Sequence, residues 1–194
     1  IYSIHTCITK PIIASTIDNR NYTIIIMSAV EAFKKAGAQP YFDTAYGWAI
    51  FPTVAKAGIG IGGAGGTGEV FVRDEAGGEP KLVGKSSLVQ VSFGFQFGGQ
   101  VYSEVVFFET QRDFEIFTSG NFEFGAGADV VVITASAGAK ATTTGASAQA
   151  GIHQGEAKLG VAGYNKGMAV MTIAIGGLMY SATVGGQKFN YTPI

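Results

Sequence analysis

Beyond Pro40, glycine recurs inside stretches that otherwise alternate as β-strands, and a chain with that habit has to build a sheet that bends. Gly47 to Pro52, Ala57 to Ala64 and Glu69 to Asp74 each read with period two, punctuated by glycine or proline. Further strand patterns run through residues 81–85, 87–100, 102–110, 121–138, 167–176 and 177–186, and Gln187 to Tyr191 finishes the series. Glycine inside a strand permits the bulges and close backbone approach that curvature requires. The expected fold is therefore mainly β with a few short helices (α+β). It is a single domain on a strongly bent antiparallel glycine-rich sheet, or a closed barrel-like one. Within this region only residues 111–120 read as a helix, with Phe114 and Phe117 three apart and Gly120 at the stop.

The N-terminus is made differently. Residues 1–26 are rich in isoleucine and hold no glycine, whereas the following 168 hold all 29. That break divides the chain into an atypical segment, 1–26, and a domain, 27–194. The segment lacks the basic, apolar and small-residue order of a signal peptide. It reads either as an extraneous or processed piece or as an Ile-rich strand pairing at the domain edge. From Ser28 the pattern is helical, with Ser28 at the N-cap, Glu31 three residues on and Gly37 near the stop. Val30 and Phe33 share a side with Lys34 and Lys35 beside it. Such a helix suits packing on the core, or lying in a lipid interface with its ring inserted and its ammonium groups on phosphate.

Composition removes several function classes. With 13 basic and 14 acidic residues the net charge is −1, too little for the basic stripe that duplex nucleic acid demands. A lone cysteine, Cys7, excludes an internal disulfide, and His5 and His153 are too far apart for the usual zinc spacings, so neither metal nor cofactor is expected. No run of about 18 apolar residues exists to cross a bilayer as a helix, a count that does not bear on strands. Gly63 to Gly68 has G-x-G-x-x-G spacing but leads into the β-formers Glu69 to Val72 rather than a helix, which suits a glycine-rich hairpin turn and not a dinucleotide site. His153 has no nucleophile elbow to serve, and the acid pairs Asp74/Glu75 and Asp113/Glu115 fall on turn or helix surfaces. Between Thr134 and Ile152, 16 of 19 residues are Ala, Gly, Ser or Thr, a pattern for packed small-residue strands or a crossing loop. Few groups could do chemistry and many could shape a surface, so binding is expected rather than catalysis.

Several ordered blocks resemble the SYLF lipid-binding domain family. They are Ala45-Tyr46-Gly47-Trp48-Ala49-Ile50-Phe51-Pro52, then Lys56 to Gly63, then Gly66-Thr67-Gly68-Glu69-Val70. Ser92 to Gln100, Val105-Val106-Phe107-Phe108, Lys166 to Val170 and Gly176 to Tyr180 continue the likeness over about residues 28–194. It is nearer the bacterial branch, commonly single-domain and often exported, than the eukaryotic one, and the compartment is left open. The resemblance implies a non-enzymatic peripheral module for anionic phospholipid at a membrane surface, with phosphoinositides as ligands in eukaryotic relatives. The alternative it implies is a protein-interaction or self-assembly module, with a protein partner or a homo-oligomer, since yeast-type members bind and bundle actin filaments. The family's lipid role falls on an N-terminal amphipathic helix and nearby basic residues, which carries it here to Lys34, Lys35 and Lys56. Phe33 and Trp48, with Tyr41 and Phe42, are the candidate interfacial rings. The helix is short and carries few cations, and each adds only about 1 kcal/mol at an anionic surface, so the expected binding is weak and salt-sensitive.

Overall fold

The computed structural model describes residues 12–74, 78–120, 123–124, 130–133, 164 and 166–194. Three strands dominate it: β1 (Gly47–Val72), β2 (Lys81–Phe108) and β5 (Met168–Pro193), of 26, 28 and 26 residues. At about 3.3 Å per residue each would reach about 85 Å if straight, whereas a chain of this length packs to a radius of gyration of about 16 Å. The strands must turn back, and they do so together.

The ends of β1 meet: the Arg73 N–H donates to the Tyr46 carbonyl at 2.9 Å. Glycine makes this approach possible, because a side chain at Gly68 would collide with the Ile50 carbonyl oxygen and one at Gly47 with the Phe71 carbonyl oxygen. The bend itself lies midway, where Gly60, Gly94, Gly98 and Gly177 take φ of 72°, 135°, 122° and 91°, a region L side chains avoid. The registers shift there as well, between Ile59 and Ile61 and between Val101 and Tyr102.

The sheet order is β1-β2-β5-β3, where β3 is Glu123–Phe124, and β4 (Val130–Ile133) pairs parallel with the first half of β5. This is the mainly β, strongly bent sheet that alternating glycine implied. Among the described residues it is a bent sheet rather than a closed barrel, because β1 and β3 end the hydrogen-bonded path without pairing to each other. What read as separate short strands are single long ones. In particular Gly63 to Gly68 is not a hairpin turn but the middle of β1, paired residue by residue with Val91 to Ser86. A glycine supplies the same ladder groups as any residue, so the strand continues through it.

At the N-terminal side, α1 (Ile12–Phe33) runs into a π-helical turn (Lys34–Ala38) and then α2 (Gln39–Thr44). Residues 12–26 are thus helical and form no edge strand, and Ser28 is interior rather than an N-cap because α1 continues through Met27. Gly37, at φ 101°, kinks the helix, and Pro40 starts α2 where a missing N–H costs nothing. The arginine that closes β1 also holds this corner, since the Arg73 guanidinium donates to the carbonyls of Phe42 and, at 3.0 Å, Asp43. The expected helix after β2 is present as α3 (Gln111–Thr118). Its capping box has the Thr110 N–H donating to Asp113 Oδ2 at 3.0 Å.

Folding the sheet in half creates two apolar layers. Between the halves lie Ala49, Phe51, Val106, Phe108, Val170 and Phe189, closed by Phe117 of α3. Phe117 sits 4.8 Å from Phe108 and 5.0 Å from Phe189, ring centre to ring centre. Outside, Ile26, Ala29 and Phe33 of α1 and Tyr41 and Phe42 of α2 pack on Trp48, Ile50, Val105, Phe107 and Met171. Val105 to Phe108 are therefore buried on both faces, which is why four successive residues there are apolar.

Candidate functional site

Lys34 and Lys35 leave the C-terminal end of the helical layer. Lys34 Nζ stands 3.6 Å from Glu31 and 5.8 Å over the Phe42 ring, a pair of contacts that holds it against the surface. Lys35 is exposed and borders a shallow groove along α1 with Ile24, Met27, Ser28, Glu31 and Ala32. Phe33 is fully buried and Trp48 nearly so. Trp48 meets Phe42 edge-on at 5.1 Å and stacks on Phe71 at 6.0 Å, with the Arg73 guanidinium 5.8 Å from its ring. Tyr41 and Phe42 are buried too. Trp48, Tyr41 and Phe42, with Phe33, fix the α1–α2 corner to the sheet, and none of these four rings stands at the surface.

Lys56 lies elsewhere. After the register shift between Phe51 and Val54, even-numbered residues of β1 face the inner layer with Val54, so Lys56 sits on the opposite face of β1 from the helices. It is half-buried, and burial pushes its ammonium below the ordinary lysine range. The structure brings Lys34 and Lys35 together on one helix and keeps Lys56 apart from them.

Two features escaped the sequence reading. The solvent face of α1 carries Ile24 and Met27, exposed by 60% and 63%, along with Ile25. Positions 24, 27/28, 31 and 35 form one helical stripe and 26, 29/30 and 33 the opposite one, a repeat that the composition break at Met27 concealed. The second is Glu104. It is wholly enclosed between the sheet halves, where the Gln187 side-chain N–H donates to its Oε1 at 2.6 Å. Burial pushes its carboxyl up to about 8, against a partial lowering by that hydrogen bond. Tyr102, raised by its own burial and by Glu104, donates its hydroxyl to Gln90 Oε1 at 3.3 Å. Glu69 is also buried, with its carboxyl raised by desolvation and drawn back by Lys85 opposite.

Among the described residues no three His, Cys, Asp or Glu side chains come together, and no helix is long and apolar enough to cross a membrane. His153 and the small-residue stretch 134–152 lie outside the described residues.

The bent sheet and its helical layer present apolar and cationic side chains to solvent. The chain belongs to the Ysc84 family, the SYLF domain family, whose model is described as a Las17-binding protein actin regulator and matches residues 89–189. The matched span takes in most of β2, α3, β3, β4 and nearly all of β5. It is a family of lipid-binding and protein-binding domains. No curated protein and no solved structure matches the chain.

Proposed function

We propose that this domain is a peripheral module for anionic phospholipid surfaces, engaged through the solvent face of α1 with Lys34 and Lys35 as its cations, while Lys56, half-buried on the opposite face of β1, stands outside that contact. One observation carries the reading: α1 is apolar on two faces, and only one of them is covered. Ile26, Ala29 and Phe33 are in the core, while Ile24 and Met27 stand open beside Lys35. A helix of this kind lies in the headgroup plane with its apolar stripe down and its cations level with phosphate. Phe33 and Trp48 serve from beneath, holding the helix to the sheet. Lys34 shares its charge with Glu31, so the cations add little each and attraction fades with salt.

The test is flotation of the full chain with phosphatidylserine-containing and pure phosphatidylcholine vesicles at low and high salt. Recovery with anionic vesicles only, lost in salt, is the expected result. Lys34→Glu and Lys35→Glu should each lower it several-fold, with Lys56→Glu having the smaller effect of a residue on the far face of β1, and helix variants that float like the parent would remove those lysines from the site. A second reading rests on the family's description as actin regulators that bind a protein. In that case the chain would co-sediment with actin filaments and ignore vesicles.

A further inference from the structure

The bend of the sheet turns its large side chains outward. Along the second half-sheet, Ser86, Leu88 and Ser92 of β2 face inward and are buried, while Val89, Val91 and Phe93 face outward and are exposed. Phe93 pairs across to Ile61, and Phe97 to Ile59. These four are exposed by 58%, 65%, 62% and 78%. Val91 stands between Gly63 and Gly186, which offer no side chain to cover it. Isolated exposed apolar residues are ordinary, but adjacent pairs on adjacent strands make a patch.

Charge is distributed around this patch in one sense. No charged residue occurs from Ala57 to Gly68, from Ser86 to Ser103 or from Gly167 to Gln187, and these three stretches are laid side by side by the register. Leaving them toward the base, the exposed or half-buried charges first met on the three strands are Lys56, Lys85 and Lys188. Of the acids at the same level, Glu69 and Glu104 are buried, and Glu123 of β3 is the register partner of Lys188. An apolar tip with a cationic rim matches an anionic bilayer, whose phosphates lie above its hydrocarbon.

We infer that the bend is a membrane-insertion element. Ile59, Ile61, Phe93 and Phe97 enter one leaflet of an anionic bilayer, and Lys85 and Lys188 meet its phosphates. From Phe93 to Val89, whose neighbour on β5 is Lys188, is four residues or about 13 Å of strand, which fits within the roughly 15 Å of one leaflet's hydrocarbon. This rests on the anionic-surface reading above and adds a second, deeper contact to the helix.

The test places a polarity-sensitive fluorophore at the tip of the full chain through Phe97→Cys in a Cys7→Ser background. Vesicles of phosphatidylserine and phosphatidylcholine are then added, with and without brominated acyl chains. A blue shift and quenching by the bromines are expected, and the uncharged pair Ile61→Ser with Phe93→Ser should lower the bound fraction at least tenfold while moving the thermal midpoint little, since both side chains are exposed. A chain that floats with its label still in water overturns the insertion and leaves the helix-bound reading standing. A parent that does not float at all defeats both. A blue shift that grows with protein concentration in the absence of vesicles gives the tip to a second copy of the chain and overturns the lipid assignment.

Discussion

Where β2 crosses the base of the sheet, from Val105 to Phe108, four successive side chains are buried; where it crosses the bend, Val89, Val91, Phe93 and Phe97 face solvent. Both regions are β, both are apolar, and both are paired with β1 and β5. The difference lies in what covers them. At the base, α1 and α2 close one face and the opposite half-sheet with α3 closes the other, whereas the outward side chains of the bend, Phe93 beside Ile61 and Phe97 beside Ile59, stand exposed on the outer face of the sheet. Forming a ladder requires only backbone partners, but converting apolar area into stability requires a second layer. The base therefore holds the domain together, and the bend is left to do something else.

That contrast can be tested at three positions. Phe108→Ala at the base empties a site touching Phe114 and Phe117 and should cost about 3–5 kcal/mol in denaturant unfolding. Glu104→Gln, at the seam between the halves, should act through pH. The unfolded glutamate titrates near 4.5 and the folded one near 8, so across that interval the unfolded chain sheds a proton that the folded chain keeps. Stability of the parent accordingly falls as pH rises from 4.5 to 8 and levels off above. The variant keeps an acceptor for Gln187 without an ionisation, so it should lack that decline, equal to the parent near pH 4 and a few degrees higher in Tm at pH 8. Phe97→Ser at the bend should move the unfolding free energy by less than about 0.5 kcal/mol. A loss of several kcal/mol there would mean the bend is packed after all.

Alternation made the strand content legible, and the double burial of Val105 to Phe108 matches a run with no polar member. The Phe114–Phe117 spacing placed α3 within two residues of its end. Strand continuity was not legible, because Gly58 to Gly68 reads as punctuation until its partners on β2 are known. The helical stripe of Ile24, Met27 and Lys35 spans a change of composition, and either side of it alone is too short to show a face. The helical placement of Lys34 and Lys35 was legible in the pattern from Ser28 onward. Phe33 and Trp48 show why rings are harder: periodicity gives a residue's face, and only the tertiary layers decide whether that face is wet. Glu104 was hidden for a related reason, since its partner Gln187 is 83 positions away and nothing local marks the pair.

The strand order carries a consequence for how the chain assembles. β1 and β2 are joined by residues 73–80 and can zip as neighbours, but β2 meets β5 only across residues 109–167. Closing a loop of that length sacrifices chain entropy before any contact repays it, and contacts of large sequence separation slow folding. Phe189, which seals the inner layer against Phe51 and Phe117, arrives with β5. The hairpin of β1 and β2 is therefore the local event, and the interior is shut by the last strand the chain supplies.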